Sequence, residues 1–358
     1  MMHYLMAIIL FIHGTLHLPG FFKAYELIPV DAIRTSISRS AGLIWLTASL
    51  LFDLAATLLI IGISFWWVFG FTALILSQLL IIRFWTDAKF GSIINLIIAV
   101  MVFSGYSGEA YQKKLTAEKA HFIEMAEISH NLKAYPDKLP LIIQKWLKNS
   151  GADSITAPAY LVLTQDLQLK TDRDQKEWDQ AEAVQLISIT EPAFLWNMTM
   201  NRRLITITGR DKYMDQHGDM EIRINNFPVV DEYGPKTTEA SLQRYLAEIV
   251  WAPWSAASHH IRWIQFDSLT AEALITDSEL KTKGTFIFNE NGDVRSFRAL
   301  RYRHSDDEAE REEWIIDLLK YESMKGIRIP VLAEVSWKTE GDKQTWLRLR
   351  IRDIKLIH

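Results

Sequence analysis

The 358-residue chain contains no cysteine, which excludes disulfides, thiolate metal sites and cysteine nucleophiles. It has no HExxH and no glycine-rich loop followed by lysine. GYSG at 105–108 is one spacer short of a nucleophile elbow. With these signatures missing, no catalytic residue, metal ligand or cofactor is assigned from the sequence. A charge imbalance is missing too: 39 basic groups face 43 acidic ones, for a formal net charge of −4. That balance exerts no general pull toward nucleic acid. Charge is scarcest at the start. Residues 1–110 hold five basic groups (Lys23, Arg34, Arg39, Arg83, Lys89) and five acidic ones (Glu26, Asp31, Asp53, Asp87, Glu109).

What fills that region is apolar. Four runs, at 4–22, 41–63, 67–84 and 90–105, approach the roughly 20 residues that a helix needs to cross about 30 Å of hydrocarbon, the last being short. The leading MMHY carries no side-chain cation and no small-x-small site follows, so the first run reads as a span rather than a cleaved signal. Tryptophans in SFWW at 64–67 and RFWTDAK at 83–89 stand where chains cross a membrane interface. A four-helix membrane bundle over 1–110 is the expectation. The first and third loops carry five cations, against Lys113, Lys114 and Lys119 after the fourth run. By the positive-inside rule those loops are cytoplasmic and the C-terminal part lies outside.

After residue 110 the composition turns polar. Residues 111–150 read as juxtamembrane helices, including a short amphipathic one opened near Pro136 and closed at Gly151. Residues 151–358 read as a sheet-rich soluble domain. LVLTQDLQLK at 161–170 puts Leu161, Leu163, Leu167 and Leu169 on one face, and WLRLRIRDIKLIH at 346–358 sets Leu347, Leu349 and Ile351 against Arg348, Arg350 and Arg352. Further strands are expected near 184–190, 194–200, 204–208, 219–225, 261–267, 271–276, 284–289, 294–303 and 333–338. One strong helix, KTTEASLQRYLAEIVWAP at 236–253, interrupts them. The fold class is therefore a membrane bundle followed by an α+β domain: a large, curved, antiparallel sheet with a packed helix.

The blocks PDKLPLIIQKWLKNSGA, AFLWNMTM, DKYMDQHGDMEIRINNFPVVD, SLQRYLAEIVWAPWS and GIRIPVLAEVSW resemble a bacterial family of unknown function. The likeness covers about residues 135–358. HGTLHLPGFFKAY is similar to the first of four membrane helices that some members carry. The resemblance implies this architecture, in a bacterial inner or plasma membrane, and no reaction. A weaker resemblance links the curved sheet and helix to lipoprotein-carrier folds, which hold acyl chains in a half-barrel.

Several constellations have both a functional and a plain reading. His13 and His17, four apart, share a helix face and with Asp53, Gln78, Arg83 and Asn95 could form an intramembrane polar site for a metal, a proton or a quinone. Interhelical hydrogen bonding is the plainer reading and the preferred one. HFIEMAEISH offers His121, Glu124, Glu127 and His130, but steps of three drift round a helix, and a solvated surface explains them. DKYMDQHGDM, with Asp211, Asp215, His217 and Asp219, lacks the longer ligand series of a calcium loop and reads as a polar hairpin with Gly218 at positive φ. His259 and His260 stay unassigned, because neighbours on an extended chain point to opposite faces.

Aromatic residues Trp196, Tyr245, Trp251, Trp254, Trp263, Phe286, Phe288 and Trp337 either fill the core or line a ligand groove between the sheet and the helix. The reading that joins these features is an integral membrane protein whose soluble part binds a membrane lipid or another apolar small molecule without catalysis. Its rivals are a membrane oxidoreductase or transporter subunit using the intramembrane His and Asp, and an interaction scaffold for an unknown protein partner.

Overall fold

The computed structural model describes residues 2–130, 139–172, 174–339 and 341–358. They fall into two compact units, Met1–Leu115 with Asn225–Phe227, and Thr116–Ile224 with Pro228–His358.

The first unit is helical: α1 (Met2–Thr15), α2 (Leu18–Ala24), α3 (Arg39–Ile60), α4 (Trp66–Arg83), the single turn α5 (Trp85–Ala88) and the part of α6 (Gly91–His130) up to Leu115. Four segments, Met2–Ala24, Arg39–Ile60, Trp66–Arg83 and Gly91–Ser129, are long and apolar enough to cross a membrane. Their outer faces carry bulky apolar side chains in the open, among them Ile8, Phe11, Leu50, Phe71, Leu79 and Leu96. In water that surface would be costly; in hydrocarbon it is the ordinary exterior. Inside, small residues let helices approach, as membrane helices require. A methyl group built on Gly20 would lie 2.2 Å from the Trp45 ring, so only glycine lets α2 reach α3 there.

The first span is read from sequence as one helix over 4–22, and it is broken at Leu16–His17. Pro19 is the cause. It has no N–H and it disfavours helical geometry in the residue before it. The chain tightens ahead of it, so the His17 amide donates to Gly14 O at 3.0 Å instead of to His13 O.

The second unit is built on thirteen antiparallel strands: β1 (Tyr160–Leu169), β2 (Asp179–Ser188), β3 (Phe194–Arg202), β4 (Ile205–Met214), β5 (His217–Ile224), β6 (Phe227–Tyr233), β7 (Ile261–Gln265), β8 (Thr270–Asp277), β9 (Leu280–Phe288), β10 (Val294–Tyr302), β11 (Arg311–Met324), β12 (Ile327–Thr339) and β13 (Asp342–Ile357). Their order is β6-β5-β4-β3-β2-β1-β13-β12-β11-β10-β9-β8-β7. First and last strands pair at the centre, Leu161 opposite Leu356 and Leu167 opposite Leu349. The sheet curls into a half-barrel.

Its free edges are β6 and β7, and the chain between them is α8 (Pro235–Glu248) followed by a 3-10 turn at Pro253–Ala257. That connection straps the concave face: α8 packs on β4 and β5 from one wing and on β8, β9 and β10 from the other. A second helix, α7 (Leu141–Ser150), packs on β12 and the 3-10 turn and ends at Gly151 in the left-handed region, φ 76°. The proposed opener of that helix, Pro136, lies outside the described residues.

The inward leucine row of β1 is buried as its alternation predicts. Strands β6 and β11 have no counterpart in the sequence reading. In β11 the apolar stretch Trp314, Ile315, Ile316 breaks the period of two, and register shifts follow at Leu318 to Tyr321. The hairpin of DKYMDQHGDM exists between β4 and β5, but its positive-φ residues are Asp215 (53°) and Gln216 (64°), the pair a type I′ turn needs. Gly218 sits inside β5 and serves closeness instead: a Cβ there would meet Ser241 of α8 at 2.7 Å.

Candidate functional site

The concave face beneath α8 is apolar with a polar thread through it. Leu242, Tyr245, Leu246, Trp251 and Trp254 turn inward from the strap onto Leu163, Leu167, Phe194, Phe286 and Phe297 of the sheet. Polar side chains hold the strap in place. Tyr245 donates its hydroxyl to Ser188 O at 3.1 Å, Trp251 Nε1 to Pro330 O at 2.9 Å and Trp254 Nε1 to Ile155 O at 3.1 Å. Below them Trp196 Nε1 donates to Gln165 Oε1 at 3.0 Å, Gln165 Nε2 to Gln185 Oε1 at 2.8 Å, and Gln185 Nε2 to Glu248 Oε2 at 2.5 Å. Arg244 completes the thread, donating to Glu248 Oε1 at 2.8 Å and to Asp211 Oδ2 at 2.6 Å while lying over the rings of Phe194 and Trp196. Burial pushes the Glu248 carboxyl above the ordinary carboxylate range, against the opposing pull of Arg244 and Gln185. Burial likewise raises the Tyr245 hydroxyl.

The sheet wall opens between β9 and β10. Strands β9 and β10 pair from Phe288 with Val294 to Thr285 with Arg298, and no further. Beyond that point they part, leaving a cleft of about 610 Å³ lined by Leu274, Lys281, Lys283, Arg298, Leu300 and Arg311 among others. Gln243 of α8 reaches into the gap. Its Nε2 donates to Lys283 O of β9 at 2.7 Å and to Leu300 O of β10 at 3.3 Å, taking the place of the missing ladder. Its Oε1 is buried without a partner. Sequence reasoning missed Gln165, Gln185 and Gln243. For Gln165 the signal was available, since it stands in the leucine row of β1 at a spacing of two.

Of the aromatic residues proposed for a groove, Tyr245, Trp251, Trp254, Phe286, Phe288 and Trp337 are buried in one continuous core, and Trp196 and Trp263 pack against it. They are brought together: Trp146 lies 6.2 Å from Phe286 and 6.1 Å from Phe288, and Trp263 lies 5.0 Å from Phe286, ring centre to ring centre. Three arginines of β13 and β10 pair with carboxylates, while Arg301 of β10 lies over the Trp314 and Trp337 rings and donates to Ala240 O. Arg348 pairs with Glu334 at 2.8 Å, Arg352 with Glu182 at 3.1 Å, and Arg298 with Glu313 at 3.8 Å.

In the helical unit His13, Ser77, Gln78, Ser92 and Asn95 form one chain. His13 Nε2 lies 2.9 Å from Asn95 Oδ1, Asn95 Nδ2 donates to Gln78 Oε1 at 3.0 Å, and Gln78 Nε2 to Ser92 Oγ at 3.3 Å. Since Asn95 Oδ1 accepts, His13 carries its proton on Nε2 and leaves Nδ1 buried without a partner. The His17 Nδ1 takes the His13 carbonyl that the tightened turn released, at 2.8 Å. Asp53 stands outside this chain with a buried, unpartnered Oδ1, and Arg83 is exposed at the end of α4.

The remaining polar motifs are dispersed. His121 pairs with Asp215 at 2.7 Å and Asp211 with Arg244. Asp219 and Glu118 serve the buried Arg210 of β4. The His130 side chain lies outside the described residues.

A family model described as a family of unknown function (DUF6544) matches residues 131–349. No curated protein matches the chain. Among solved structures, the crystal structure of a LolA superfamily protein from Nitrosomonas europaea is similar to it, with a TM-score of 0.37 and 9% identity over 61% of this chain and 95% of that one.

Proposed function

We propose that this chain, which belongs to the DUF6544 family of unknown function, is a membrane-anchored, non-catalytic protein whose half-barrel binds an acyl chain or similar apolar ligand under α8. The observation that carries this reading is the parting of β9 and β10. It leaves a cleft of about 610 Å³, within the usual size of a small-molecule site, about 300 to 1,000 Å³. Leu274, Ala299 and Leu300 give it an apolar side, and Leu300 is 63% exposed there. Lys281, Lys283, Arg298 and Arg311 stand around it with Glu239, Glu272 and Glu313, which pair with Arg311, Lys283 and Arg298, so the rim is polar and close to neutral.

The driving force is partition, about 0.8 kcal/mol for each methylene removed from water. Deeper entry displaces Gln243 and loosens α8 from the aromatic core, so affinity reflects the difference between chain burial and the loss of strap contacts. The cation bias of the short loops supports an extracytoplasmic half-barrel. The chain from His13 to Ser92 is in keeping with polar glue between helices, at about 0.6 to 2 kcal/mol per bond.

A cysteine-free chain makes a clean test. Leu300→Cys in full-length protein in nanodiscs, labelled with a polarity-sensitive dye, is expected to shift its emission on titration with a long-chain fatty acid. The same dye at Leu319, exposed on β11, is expected to stay constant. An equal response at both positions, or none at either, retires the reading.

A further inference from the structure

Three ligand-type side chains meet at one end of the strap. Glu191 lies in the turn between β2 and β3, and His259 and His260 follow the 3-10 turn just ahead of β7. Their ligand atoms all lie within 4.8 Å of one another, the one such group of three among the described residues. The expectation that adjacent histidines diverge holds for extended chain, but residues 259 and 260 form a turn. Their rings lie side by side, centroids 4.0 Å apart at 38°.

The proton positions make this more than proximity. His260 Nδ1 lies 2.9 Å from Thr276 O. A carbonyl only accepts, so Nδ1 carries a hydrogen. In the neutral ring Nε2 then presents a lone pair, and it stands 2.8 Å from Glu191 Oε2, another lone-pair donor. Two such atoms at this distance require a positive centre between or beside them. A proton shared by the ring and the carboxyl, or a metal ion, meets that need.

Three observations favour the metal. A ring that gives its far N–H to a backbone carbonyl is the arrangement that orients and strengthens a ligating histidine. His259, exposed, adds a second imidazole that an ion pair between His260 and Glu191 has no use for. Two imidazoles and one carboxylate are a donor set of open zinc sites, whose bonds of about 2.0 to 2.2 Å place ligand atoms on the order of 3 Å apart. The backbone beneath is held on both sides. Ser255 Oγ donates to Ile189 O at 2.9 Å and Ser258 Oγ to Thr190 O at 3.2 Å.

We propose that Glu191, His259 and His260 form a binding site for a divalent transition-metal ion of the zinc class, which clamps the end of the strap to the β2–β3 turn and leaves a coordination position for water. The proposal is independent of the acyl-chain reading, whose cleft is lined by other residues.

The test uses untagged full-length protein in detergent, stripped with chelator and titrated with Zn²⁺ alone and, separately, with Co²⁺ alone. One tight equivalent of Zn²⁺, a visible Co²⁺ absorption band and a rise in melting temperature with Zn²⁺ are expected. Glu191→Gln and His259→Gln are each expected to weaken that equivalent at least about tenfold and to abolish the band and the rise. Both residues are accessible enough for the variants to fold, which the chelator-treated melting curves check directly. If wild type binds Zn²⁺ no more tightly than these two variants, the positive centre is a proton, the site is an imidazole–carboxyl pair sharing that proton only, and the proposal falls.

Discussion

Glu248 shows how much one buried carboxyl can reveal. It accepts from Gln185 at 2.5 Å and from Arg244 at 2.8 Å, which favours the charged form. Burial opposes it and prevails, so the folded-state pKa lies above the ordinary value. A carboxyl of this kind takes up its proton more readily folded than unfolded. Its ionised form costs stability above the folded pKa, and the cost is relieved as pH falls through that value toward the ordinary one, about 4.3. In melts of wild type and Glu248→Gln at a series of pH values, the difference is expected to move toward wild type on acidification through that window. Movement toward the variant would mean that the two donors outweigh burial. None of this was legible locally: Glu248 sits in LQRYLAEIV as an ordinary helical glutamate, and only the fold turns it inward.

At the scale of elements, what a period could encode was readable. The leucine row of β1 is buried, and in β13 Leu349 and Ile351 are buried and Leu347 half-buried against exposed Arg348, Arg350 and Arg352, because a strand in a one-sided sheet sorts residues by parity. Strand β11 escaped because its apolar residues run consecutively and bulges shift its register. The break at Leu16–His17 follows from Pro19 and was within reach of the sequence. The split between β9 and β10 was not: β10 breaks its alternation at Ser296 and Phe297, but the gap itself depends on a glutamine from another element. Replacing Gln243 by Ala removes both bridging hydrogen bonds and leaves Lys283 O and Leu300 O without that donor. A loss of about 1 to 3 kcal/mol of stability is expected, read from denaturant melts followed by tryptophan fluorescence. A loss below about 0.5 kcal/mol would show that water closes the gap equally well.

For the whole molecule, hydropathy alone picks out four helices long and apolar enough to cross a membrane, and the side on which the half-barrel lies is the open prediction. Alkaline phosphatase fused after His358 is expected to be active in cells, and a fluorescent protein that matures only in the cytoplasm is expected to stay dark there. The reverse pattern would put the half-barrel inside and reassign the Lys113, Lys114 and Lys119 cluster as the retained one. By itself the sequence determined the apolar third, the sheet-rich remainder, the strap helix and the lack of thiol chemistry. Composition and short periods are summed over neighbouring residues, so they survive without a fold. Only the tertiary structure decided that the aromatic residues close into a core, that Gln243 bridges two parted strands, and that His260 meets Glu191 across 69 positions. Such meetings depend on distance in space, and a thirteen-stranded sheet whose edge strands are joined by a strap brings together residues that no local pattern connects.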